Sequence, residues 1–199
     1  MQARLACYRV AQKARVAYQG LHEALENDPA TPRALLEELN TEISELKRKE
    51  KLYLVAAQRI VEEDEQMGRR LVALLPIPGI GPITALTLLA IFRKYPNANR
   101  SQIVALVGFD PIQFQSGTSV HSKARISKRG NHELRKRLYQ ATLSAARYNP
   151  SARALHRRLK EQGKPDRVAR VAAARKLLLI AHAIYNSGEM FCDPNEKEG

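Results

Sequence analysis

The sequence predicts an all-α protein: a long coiled-coil-like helical region followed by a compact helical domain containing a helix-hairpin-helix element. Three observations predict it. Apolar residues recur at steps of three and four over most of the 199 residues. Pro, Gly and Asn/Asp clusters punctuate the chain at helix-length intervals. No run of alternating β-branched residues looks like a strand, and the alternation in QIVALVGFDP (102–111) is too short to count. The expected division is a helical connector over 1–69, a compact domain over 70–190 and an acidic, disordered tail over 191–199.

Residues 1–26 read as a helix, with Leu5, Tyr8, Val10, Val16, Tyr18, Leu21 and Leu25 apolar. NDPATP (27–32) breaks it. Thr31 is a candidate cap for the next helix, with Pro32 at its first position. That helix is expected to run unbroken to about Leu75. Leu36, Leu39, Ile43, Leu46, Glu50, Tyr53, Ala57, Ile60, Asp64 and Met67 form a heptad seam with two charged interruptions. Two partners fit the seam equally: the first helix of the same chain, or another protomer in a homo-oligomer.

LLPIPGIGPITALTLLA (74–90) is the most specific local pattern. Pro76 and Pro78 cannot continue a helix, Gly79 and Gly81 allow a tight turn, and Pro82 suits a helix start. This is a helix-hairpin-helix pattern. Backbone N–H groups at the second helix's N-terminus can face a phosphate without reading the base. The plainer use of the same pattern is a corner packed into the core.

A short helix over 101–108 follows, with Ser101 a candidate cap and Gly108 a C-cap. The 108–131 stretch reads as a loop. Asn131 caps a helix ended by Pro150, Ser151 is a candidate cap for the next, and a last helix covers 165–187. Each of these three helices carries one apolar and one basic face.

Charge is uneven. The net charge of +13 is the sum of zero over 1–92, +16 over 93–176 and −3 over 177–199. One segment holds the whole excess, which is the electrostatic footprint of a polyanion. The absence of Trp argues against an aromatic-rich single-strand platform. Cys7 and Cys192 have no metal-ligand spacing and suit a reducing cytoplasm. His132, His156 and His182 are scattered, and His121 is a weak acid–base candidate. No apolar run is long enough for a bilayer, so no membrane partner is expected.

LLPIPGIGPITALTLLA, VALVGFDPIQFQSG, ISKRGNHELRKRLYQA and GKPDRVARVAAARKLLLIAHAIY occur in this order. Together they resemble the C-terminal transposase domain of the insertion sequence 110 family, the DEDD-type transposases related to the Piv DNA invertases. The resemblance covers about 70–190, and the helical 1–69 is similar to the family's coiled-coil connector. It implies DNA recombination through a phosphoserine link, with a bridge RNA choosing sites and an acidic tetrad on a RuvC-like domain holding Mg²⁺. The serine it matches is Ser116, with Ser119, Ser122 and Ser127 as rivals. Gly79, Gly81, Lys123, Arg125, Lys128, Arg129, Arg135 and Arg137 are the expected nucleic-acid contacts.

No DEDD tetrad is legible, so this chain is expected to lack the RuvC-like half, to hold no cofactor and to be inactive alone. It would be a remnant, a fragment or a partner of a separate nuclease domain, at work in the bacterial cytoplasm near the nucleoid. Two other readings remain: a non-catalytic helix-hairpin-helix module left from a truncated transposase, and a helical assembly protein with a solvated basic face.

Overall fold

The computed structural model describes residues 1–112, 115–116, 120–121 and 125–192, with backbone alone at 115, 116, 120 and 121. Among these residues the fold is all-α. Its helices are α1 (Gln2–Glu26), α2 (Arg33–Glu62), α3 (Glu65–Leu74), α4 (Pro82–Lys94), α5 (Arg100–Val107), α6 (His132–Tyr148), α7 (Pro150–Glu161) and α8 (Asp166–Ser187). Two antiparallel strand pairs of two residues each lie between α5 and α6. The chain divides into two compact units, Met1–Glu65 and Gln66–Gly199.

In the first unit α1 folds back on α2 as an antiparallel helical hairpin. Leu5, Tyr8 and Ala11 of α1 and Leu39, Ile43, Ala57 and Val61 of α2 are buried. The seam from Leu39 to Ala57 is thus covered by a helix of the same chain, while its Ile60 stays exposed. Glu50, one of its charged interruptions, is buried and meets Arg15 at 2.5 Å. Arg15 in turn donates to Gln19. An unpaired carboxylate at a seam position would carry a large desolvation penalty, and the guanidinium offsets it. Arg33 opens α2 after an extended Pro32, and Thr31 makes no side-chain cap.

The long helix does not reach Leu75 unbroken. It stops at Glu62 and resumes at Glu65. The Asp64 N–H closes a tighter turn onto the Val61 carbonyl. Glu62, Glu63, Asp64 and Glu65 are four consecutive acids. They oppose the negative C-terminal end of α2 and suit the positive N-terminal end of α3, so the run favours a stop and restart.

In the second unit α8 is the central element, packed against α4, α5, α6 and α7. Its small residues Ala169, Ala173, Ala174 and Ala181 are buried and let neighbours approach closely. Leu86, Leu88, Leu89 and Phe92 of α4, Ile103 and Val107 of α5, and Leu134 and Leu138 of α6 complete the core. Phe92 meets Tyr185 and His182 of α8 at centroid distances of 5.0 and 5.2 Å. Arg70 lies over the Tyr185 ring and donates to its hydroxyl at 2.8 Å.

Caps sit one or two residues from their expected places. Asn99, not Ser101, caps α5 through a reciprocal box with Gln102. Asn149 ends α6 and caps α7, a role expected of Ser151. Asn131 caps α6 as expected, accepting from the Leu134 N–H at 2.9 Å.

Candidate nucleic-acid interface

The loop between α5 and α6 is sewn shut at its base. Gly108 takes the left-handed conformation that ends α5. The Ser127 N–H donates to the Asp110 carbonyl, and the Ser127 hydroxyl bonds the Asp110 carboxylate. The Lys128 N–H reaches the Gly108 carbonyl and the Asn131 N–H reaches the Leu106 carbonyl at 2.7 Å. Gly130 is pressed onto α5 so closely that a Cβ there would lie 2.3 Å from the Leu106 carbonyl oxygen. Only glycine permits that approach.

Two short antiparallel strand pairs that the sequence did not announce lie between α5 and α6. β1 (Pro111–Ile112) pairs with β4 (Arg125–Ile126), and β2 (Gln115–Ser116) pairs with β3 (Val120–His121). The Ser116 backbone faces Val120 across β2–β3. Ser119, Ser122 and Lys123 lie outside the described residues.

Beside the stem is a basic cleft of about 830 Å³. Arg125 and Lys128 come from the stem, His132, Arg135, Lys136 and Tyr139 from α6, and Arg167 from α8. Phe109, Ile126, Val168 and Val171 supply its apolar lining. The one acid of the stem, Asp110, is occupied by Ser127. Arg135 is fixed by donating to the Val107 carbonyl at 2.7 Å, which also satisfies the C-terminal end of α5. Five permanent cations around one concavity concentrate positive potential where low-dielectric walls strengthen it.

The expected contacts therefore separate. Arg125, Lys128 and Arg135 meet in this cleft. Arg129 lines a different groove, beside α4 and α5. Arg137 corrects the expectation: it is only 7% exposed and its guanidinium meets Glu133 at 2.7 Å, so it is not offered to solvent. It stands one turn after the buried Leu134, on the same face of α6.

The hairpin is also not as expected. Gly79 has φ +99° and sits against α6, where a Cβ would lie 2.9 Å from both the Ala141 carbonyl oxygen and the Ala145 methyl. Ile77 and Ile80 are buried beside it. Gly79 is thus a packing glycine in a corner. Gly81 is exposed at the start of α4. There Pro82 has no N–H, and the Thr84 and Ala85 N–H groups both donate to the Gly81 carbonyl. Few donors remain in that turn to face a phosphate.

Lys136, Tyr139 and Arg167 complete the cleft without having been singled out. Lys136 and Arg167 lie on basic faces legible in the sequence. Only the crossing of α6 and α8 brings those faces to one concavity. Among the described residues no three His, Cys, Asp or Glu side chains gather as a metal-holding group. The described residues do not form a Mg²⁺ cage. His156 instead bonds Asp166, which also pairs with Arg170. Burial holds the His182 imidazole below its ordinary value of 6.5. A hydrogen bond to the Ala98 backbone works against that shift, and the Arg100 charge adds to it. No helix among the described residues is long and apolar enough to cross a membrane.

The domain thus combines a strand-paired stem with a cation-lined cleft. Residues 72–157 match the model of the family described as "Transposase IS116/IS110/IS902 family". The chain is similar to the Pilin gene-inverting proteins of Moraxella lacunata and Moraxella bovis, at 30% and 31% identity over 129 residues. Each match covers 63% of this chain and 40% of the relative. The chain thus spans well under two thirds of the curated relatives it matches.

Proposed function

We propose that this chain is the DNA-gripping, nucleophile-bearing part of a transposase or DNA recombinase. The observation that carries the reading is the cleft formed by Arg125, Lys128, Arg135, Lys136 and Arg167; the nucleophile, Ser116, comes from the family resemblance. The cations hold a phosphodiester and offset charge that develops on it. The Ser116 hydroxyl attacks phosphorus: an oxygen–phosphorus bond forms to the serine, and the bond to a deoxyribose oxygen breaks. The released deoxyribose oxygen takes up a proton, and a strand end later displaces the serine to rejoin the DNA. A RuvC-like domain holding Mg²⁺ would supply the complementary chemistry, and a bridge RNA would select sites. Both belong to the proposal through the family resemblance. So does assembly with a second copy, for which Leu52, Val55 and Ile60 remain exposed on α2.

The test is a salt series of duplex binding by the full chain, beside the double variant Lys128→Gln/Arg167→Gln. Binding should fall steeply with salt, and the variant should flatten the log–log slope by roughly 0.9 per cation removed. A slope near zero for the native chain defeats the reading. Ser116→Ala should abolish strand exchange by the complemented assembly while leaving binding intact.

A further inference from the structure

A second groove lies on the other side of the 128–130 segment, with a volume of about 730 Å³, within the roughly 300–1,000 Å³ of ligand clefts. Its chemistry differs from that of the basic cleft. Pro96, Ala98, Ala105 and Leu106 give it an apolar floor. The Tyr95 side chain stands at its edge, 38% exposed, with the Lys94 ammonium 5.4 Å from its ring centroid. Arg129 closes the opposite rim. Gln102 turns its carbonyl oxygen to the Asn99 N–H, so its amide NH₂ is the end left to meet an occupant.

We propose that this groove takes one unpaired deoxynucleotide of a DNA strand. The inference rests on the DNA-binding reading above and names the part of the DNA that this groove accepts. A phosphodiester alone would have no use for an apolar floor and an exposed aromatic ring. An apolar protein segment would have no use for two cations on the rim. A base stacked on Tyr95, with its flanking phosphates at Lys94 and Arg129, uses both. The Gln102 amide can meet a base edge, and acceptors are present on every base.

The groove is held ready. The Tyr95 N–H bonds to carbonyls at the end of α4, and the Ala98 N–H closes the 95–98 turn onto the Tyr95 carbonyl. A hydrogen bond between His182 of α8 and the Ala98 backbone braces that turn. The Leu106–Asn131 hydrogen bond and the Gly130 contact fix the far wall. Rigid walls reduce the ordering that binding must impose.

The test compares the full chain with Tyr95→Leu and Tyr95→Phe on four probes: a single-stranded DNA, a duplex with one unpaired nucleotide, the fully paired duplex, and the single strand as RNA. Tyr95→Leu should weaken the first two by roughly 5- to 100-fold and the paired duplex by less than about twofold, while Tyr95→Phe stays close to the native chain. Equal thermal melting of the three proteins excludes misfolding as the cause. If Tyr95→Leu leaves single-strand binding unchanged while Lys128→Gln/Arg167→Gln weakens the duplex, this inference falls and the basic-cleft reading stands. If duplex binding ignores salt and the cleft variant while single-strand binding still needs Tyr95, the reverse holds. Tighter binding of the RNA with the same dependence on Tyr95 overturns the DNA assignment.

Discussion

The two units of this chain are both helical, yet they place charge in opposite ways. Met1–Glu65 carries 10 basic and 12 acidic side chains, and its most buried charge, Glu50, is neutralised across a helix pair by Arg15. Gln66–Gly199 carries 23 basic and 8 acidic side chains. Most of its cations stand on surfaces, and its interior is filled by α8 and the apolar faces around it. In the first unit charge specifies how two helices align. In the second it is left available to a partner. Helical content alone distinguishes neither role; the location of the counter-charge does.

Mutations that sharpen the contrast should differ in size. Leu138→Ala, deep in the second unit, should cost about 2–5 kcal/mol in chemical denaturation because the surrounding helices cannot close the void. Gly79→Ala should cost about 2–4 kcal/mol in the same measurement, since it adds both a left-handed strain and a clash with α6. In the first unit Glu50→Ala should cost about 1–3 kcal/mol by leaving Arg15 half-buried without its carboxylate, whereas the double replacement Arg15→Met/Glu50→Leu should be close to neutral. A large loss from the double replacement would show that the ion pair stabilises the hairpin rather than setting its alignment.

The smallest effect concerns His182. Its folded pKa lies below the unfolded value, so the unfolded chain binds more protons between the two. Stability should therefore be complete above the unfolded value near 6.5. It should decline as pH falls through the folded value, then level off. His182→Asn should flatten that part of the stability–pH curve. An unchanged curve would assign the dependence elsewhere.

Much of this architecture is legible in the residues. The faces of α6 and α8, the Asn131 cap and the Gly108 stop are local features, written within a few residues of each other. Other features are not. Arg135 and Arg137 are two residues apart and chemically alike, yet one reaches the cleft and the other is buried against Glu133. Gly79 reads equally well as a phosphate-facing turn or a packing turn until α6 is placed on it. The strand pairs escape a periodicity argument because each pairing is only two residues long. The groove at Tyr95 escapes it because its two walls are more than thirty positions apart.

Lys128 is the one described non-glycine residue with a positive φ, at 57°. It lines the basic cleft, whereas its neighbour Arg129 lines the groove on the other side. The 128–130 segment is therefore a partition pinned to α5. A duplex held on both sides of it would have to bend sharply over the partition. Bending energy depends on the steps being bent, and pyrimidine–purine steps yield most easily. Such a partition would make the domain favour some sequences over others through their stiffness, at positions whose bases it never touches.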